Sequence, residues 1–203
     1  YKKYIDVNGM PVVSADVVDD LALQRTHEVV TRMLAGRPDI VKALVDTKMY
    51  LIVMGRDQVY TDMPENRNHP NPDYVNERVR GTGGRPTSFG DENILSLQLD
   101  RYDDESIGVH EFCHTIDGAL GSIDPTWQER KRAMYRQAMD KGLWNFSFTA
   151  ANAGEFWAEA CQSYFDCNRV NNDNHGPVGT REQLKANRKL AQVQDMQLAR
   201  EIL

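Results

Sequence analysis

Residues 106–120 read SIGVHEFCHTIDGAL, and within them His110, Glu111 and His114 have the spacing H-E-x-x-H. The segment reads as one helix. Four residues of α-helix turn through about 400° and rise about 6 Å. Both imidazoles therefore leave the same face, one turn apart, and can close on one tetrahedral ion. Glu111 falls on the adjoining flank, where its carboxylate reaches a metal-activated water without ligating. Two histidines on a solvated helix face are the plain alternative. The apolar or small neighbours Ile107, Gly108, Val109 and Phe112 disfavour it, because they mark a buried helix.

A catalytic zinc takes a third protein ligand and keeps a fourth position open. The continuation H-x-x-G-x-x-H is absent, since Asp117 and then Gly118 follow His114. A second helix is predicted from about residue 152 to 165, and residues 153–160 read AGEFWAEA. Glu155 and Glu159 stand at i and i+4 on one face, among Phe156, Trp157, Ala158 and Ala160. Carboxylates in such surroundings need a cation or hydrogen-bonding partners. Glu155 is assigned as the third ligand and Glu159 as the group that orients a ligand histidine. Asp117, one turn beyond His114, is a further candidate for that supporting role, and equally an ordinary polar residue near the helix end.

Outward from these helices the chain is mixed. Asn8 and Gly9 sit between short apolar runs in residues 4–13, which suggests a hairpin. Ser14 reads as the cap of a helix ending at Gly36, and Pro38 opens another carrying Ile40, Val41, Leu44 and Val45. Residues 49–54 read as a buried strand and residues 94–99 as another. Between 62 and 91, Pro, Gly, Asn and Arg dominate (PENRNHPNPDY, RGTGGRP), the mark of a long irregular loop. A helix is expected from beyond Pro125 to about 141, and a last one from Thr180.

The 203 residues suit one ordinary domain, and 40% apolar with 27% charged residues is usual for a soluble globular protein. The net charge of −6 argues against a nucleic-acid partner. No run is long and apolar enough to make a membrane a partner. The chain starts at Tyr1 without an initiator Met or leader, so a processed or trimmed product is expected. Cys113, Cys161 and Cys167 are too few for a disulfide scaffold and lack Cys-x-x-Cys spacing, so buried thiols or at most one bridge are expected.

HEFCHTID followed by NAGEFWAEACQSYF resembles the zinc peptidase domain related to anthrax lethal factor, within the gluzincin clan. Residues 4–44 and the RGTGGRPTSFGDENIL loop are similar to its relatives too. The resemblance implies an α+β fold: a mostly helical, zincin-like metallopeptidase domain over residues 1–203, with a small sheet preceding the metal-binding helix. Residues 1–104 would form an α/β upper part with the substrate-edge strand, for which 94–99 is the candidate, and loop, and 105–203 a helical part carrying the zinc ligands. It implies one catalytic Zn2+ on His110, His114 and Glu155, Glu111 as base, a peptide or protein substrate, and secretion. Active relatives carry a tyrosine seven residues before the glutamate ligand, to stabilise the tetrahedral intermediate. Here that residue is Phe148. Losing one such donor typically costs about 100- to 1000-fold in rate. His175, Tyr164, Tyr135 or a backbone amide are the candidates to replace it. The expected function is thus zinc-dependent endopeptidase. A zinc-binding recognition module, a zinc hydrolase of other substrates and a plain helical protein are the competing readings.

Overall fold

The computed structural model describes residues 1–102, 105–144 and 147–168. Among the described residues the fold is mixed α+β, with seven α-helices and one five-stranded sheet. All five strands precede the helix that carries His110. The sheet opens with a hairpin of β1 (Lys3–Val7) and β2 (Met10–Ser14). Its two-residue turn puts Asn8 and Gly9 at φ of 52° and 86°, which an Asn-Gly pair adopts with little strain. Ser14 ends β2 and is not a helix cap. Helix α1 (Asp20–Met33) is capped by Asp19, whose carboxylate accepts from the Leu21 amide at 2.9 Å. Helix α2 (Pro38–Asp46) starts on its proline.

Strand β3 (Leu51–Met54) lies between β2 and β5 (Thr87–Gly90), parallel to both, and β4 (Gly81–Thr82) adds antiparallel to β5 as the last strand. Leu51 and Val53 face the main core with Val12, Phe89 and the apolar sides of α1 and α2. Ile52 and Met54 face the opposite side, under Met63. Cover on both faces explains the unbroken apolar run of β3.

The irregular stretch from 62 to 91 is more ordered than its composition implies. It holds a short helix, α3 (Pro72–Arg78), and the strands β4 and β5. β5 has no apolar alternation because Thr87 and Ser88 are buried as hydrogen-bonded hydroxyls, with Thr115 and Thr82 respectively. The strand expected at 94–99 does not form. Helix α4 (Asp91–Ile94) follows β5 directly, and the chain then turns, with Leu97 N donating to Glu92 O at 2.8 Å and Asp100 N to Leu97 O at 2.9 Å. Asp91, Glu92 and Asn93 are buried, and their polar partners outweigh the weak alternation of leucines after them.

Three helices complete the described fold: α5 (Ile107–Ile123), α6 (Trp127–Asp140) and α7 (Ala153–Tyr164). α5 packs against β4, β5, α2 and α7. Gly108 lets it approach β5, since a Cβ there would already sit 3.3 Å from Ile94 and 3.5 Å from Phe89. The final helix expected from Thr180 lies outside the described residues.

Arg80, just before β4, is buried and anchors that strand. Its guanidinium donates twice to Glu92 at 2.6 Å, to Gln58 O at 2.6 Å and to Gly55 O at 3.1 Å. Breaking such a pair from one side leaves a buried charge uncompensated. Arg80→Met is expected to lower stability by about 3–5 kcal/mol in urea unfolding, and the double change Arg80→Met with Glu92→Leu to recover most of that loss.

Candidate metal centre

Local sequence sets the two helices that build the site. Ser106 caps α5 through its hydroxyl, which accepts from Val109 N at 3.4 Å. Asn152 caps α7, its Oδ1 accepting from Gly154 N at 2.8 Å and Glu155 N at 3.0 Å. The helices are locked side by side by Trp157, whose indole N–H donates to Cys113 O at 2.9 Å and whose ring meets Trp127 edge-on at 5.1 Å. Cys113 and Cys161 are buried near the same contact, and all three cysteines are free thiols.

That packing brings His110, His114 and Glu155 to one point. His110 Nε2 lies 3.1 Å from His114 Nε2 and 3.0 Å from Glu155 Oε2, and His114 Nε2 is 3.3 Å from the same oxygen. Nitrogen and oxygen ligands at the usual distances around a tetrahedral zinc stand ~3.3 Å apart. The spacing therefore fits three ligands of one ion, and these residues form a group that could hold a metal. Burial works against a charged ring at His110, but the Glu155 hydrogen bond and the nearby charges of Glu111 and Glu159 outweigh it and hold its pKa up at about 10. Burial likewise opposes ionised Glu155, yet the hydrogen bonds from His110 and His114 bring it down to about 2.

Glu111 is on the adjoining flank, under the glycine-rich segment. Burial raises its pKa, which the two histidines and a hydrogen bond from Gly83 N–H oppose. The segment fits there only as glycine. A Cβ on Gly81 would stand 2.3 Å from Ile107 and 2.9 Å from the Glu111 side chain, and one on Gly83 2.8 Å from Glu111 O and 2.6 Å from the His114 Cβ. The edge of the sheet beside the site is β4, in place of residues 94–99.

Of the two supporting residues named from the sequence, Glu159 lies beside His110 and Asp117 does not. Glu159 is fully buried with Oε1 3.5 Å from His110 Nδ1, while its Oε2 accepts from Asn168 at 2.7 Å. Closer to Nδ1, at 2.9 Å, is Gln162 Oε1, backed by Glu105. Neither Gln162 nor Glu105 was singled out from the sequence. The one signal for Gln162 is its place at i+7 from Glu155, on the same helix face. Asp117 turns away from His110 and His114, its carboxylate accepting from Trp127 at 2.6 Å, Gln128 at 3.1 Å and Lys131, so it ties α5 to α6.

Phe148 stands in the short turn Phe148–Ala150 before α7, its ring 6.4 Å from that of His110 and 42% exposed. Residue 148 thus faces the centre, without a hydroxyl. The Tyr135 hydroxyl donates to Ala150 O at 2.6 Å. Tyr164 lies nine residues beyond Glu155 on α7, ~13 Å along the axis. His175 lies outside the described residues.

No protein-family profile matches the chain, and no curated protein does. Among solved structures it is similar to the Pro-Pro endopeptidase from Paenibacillus alvei, with a TM-score of 0.60 and 13% identity over 95% of this chain and 97% of that one. At that identity the likeness is one of fold.

A metal ligated through His110 Nε2 displaces the proton that the raised pKa keeps there. Affinity for the metal should therefore climb about tenfold per pH unit from about pH 7 to about pH 9, where an ordinary histidine would already have levelled off. Chelator competition across that range reads the slope, and a plateau from neutral pH upward would contradict it.

Proposed function

We propose that this protein is a zinc-dependent endopeptidase of zincin-like arrangement, related to the lethal factor type. The observation that carries the reading is the convergence of His110, His114 and Glu155 within 3.0–3.3 Å, with Glu111 alongside. Two imidazoles and one carboxylate suit zinc and leave its fourth position open. Bound zinc supplies Lewis acidity to a peptide carbonyl and to the attacking water. The protein's own groups do the rest. Glu111 takes a proton from the water at its carboxylate and passes it to the leaving amine nitrogen. The Gly81–Thr82 edge of the sheet offers backbone groups to an extended peptide, which would add as a further strand. That the solved structure of similar fold is an endopeptidase supports a peptide substrate.

A second reading, a zinc-binding recognition module with weak or no proteolysis, draws on one observation. Residue 148 faces His110 as phenylalanine, and the Tyr135 hydroxyl is committed to Ala150 O. The two readings separate on zinc content and turnover. Wild type and Glu111→Gln should each hold one zinc per chain, and only wild type should cleave a mixed peptide library. Zinc in both without cleavage by either would favour the module.

Phe148→Tyr supplies the missing donor and should raise kcat by about tenfold or more, with little change in KM. An unchanged kcat would mean that another donor already serves the transition state.

A further inference from the structure

The amide of Gln162 has only one workable orientation. Its Nε2 donates to Glu105 Oε2 at 2.8 Å and to Ser106 O at 3.2 Å, a carboxylate and a carbonyl that can only accept. Gln162 is fully buried, so turning the amide over would set its oxygen against two acceptors with no water to intervene. Oε1 therefore faces His110 Nδ1, at 2.9 Å. Since Oε1 also only accepts, Nδ1 carries the proton. Nε2 is left as the ring nitrogen that would give its lone pair to a bound metal, and it is the atom standing 3.1 Å from His114 Nε2 and 3.0 Å from Glu155 Oε2.

We infer that Gln162, held by Glu105, is a positioning residue that keeps the proton of His110 on Nδ1 and aims Nε2 at the metal. The inference rests on the reading that His110, His114 and Glu155 hold zinc. Glu159, with its oxygen 3.5 Å from Nδ1 and its other oxygen on Asn168, is the weaker partner. Gln162 orients the ring without adding negative charge beside two buried carboxylates. The segment behind it is fixed as well. Ser106 N donates to Cys167 O at 2.9 Å, and Glu105 bridges to Asn168, so both ends of the network are tied to the chain leaving α7.

The test is zinc affinity by chelator competition, together with the melting temperature of each metal-free protein. Gln162→Leu is expected to weaken zinc binding about 10- to 100-fold. The exchanged pair Gln162→Glu with Glu105→Gln keeps an acceptor for Nδ1–H and the same net charge, and should return affinity to within about threefold of wild type. Glu159→Gln should cost less than Gln162→Leu. In zinc-loaded wild type a slowly exchanging imidazole proton, assigned to His110 Nδ1–H by NMR, should be present, and it should be lost in Gln162→Leu. Should Gln162→Leu fail to fold, the exchanged pair decides: affinity near that of wild type sustains the assignment, and a loss of tenfold or more overturns it. Wild-type affinity in a folded Gln162→Leu would overturn this inference alone. No zinc binding by wild type would overturn the proposed function with it.

Discussion

Everything in the described structure that concerns the site depends on one contact, the packing of α7 along α5. Two histidines one turn apart on α5 are placed by helix geometry alone, but the third donor comes from 41 residues further along the chain, counting from His114 to Glu155. Its oxygen must arrive within a few tenths of an ångström of the right place. Cys161 on α7 meets Cys113 on α5, and the Trp157 N–H to Cys113 O bond sets the register of the two helices. Trp127 supports that tryptophan from α6, and Asp117 supports Trp127 in turn. Asp117 therefore contributes to the centre as part of the helix packing, through a chain of contacts that never touches His110, His114 or Glu155.

The sheet meets the same centre from the other side under an equally tight constraint. Gly81 and Gly83 lie so near α5 that a methyl group at either would strike Ile107, Glu111 or His114. A segment with so few side chains to pack would ordinarily be poorly fixed. Here Arg80 compensates by binding Glu92 and two backbone carbonyls from the turn after β3. One strong, buried and directional interaction thus replaces the side-chain packing that the close approach forbids. The strand edge and the Glu111 carboxylate are held together as a result, with Gly83 N–H contacting the carboxylate directly.

The legible parts of the fold were those determined by local periodicity. The hairpin at Asn8 and Gly9, the buried strand β3, and helices α5, α6 and α7 all carry their own signals in turn chemistry or apolar spacing. So does the cluster of His110, His114 and Glu155, because i, i+4 histidines on one helix and a glutamate amid apolar neighbours on another are local patterns. Residues 94–99 misled because three alternating leucines resemble a strand, whereas the buried polar side chains of Asp91, Glu92 and Asn93 determine the conformation. β5 was hidden for the converse reason, since its buried positions are hydroxyls satisfied by Thr82 and Thr115, distant in sequence. Gln162 was hidden because an amide reveals its role only through which neighbours accept and which donate.

Charge explains why a neutral amide, beside the carboxylate of Glu159, stands nearest His110 Nδ1. Glu105, Glu111, Glu155 and Glu159 gather around His110, and a further carboxylate at 162 would lie against Glu105, at the 2.8 Å now spanned by a hydrogen bond. In a buried setting such a like-charge pair would keep one proton and disturb the orientation of the ring. The amide avoids this while still accepting from Nδ1–H, and it passes the pull of Glu105 to the imidazole through a dipole. The surplus negative charge that remains is what a dication at His110, His114 and Glu155 would neutralise. Glu155, Glu111 and Glu159 raise the His110 pKa for the same reason, since each favours positive charge on the ring. His110, His114 and Glu155 and the groups behind them are in this sense one electrostatic unit, its charge set by the residues at the back as much as by those three.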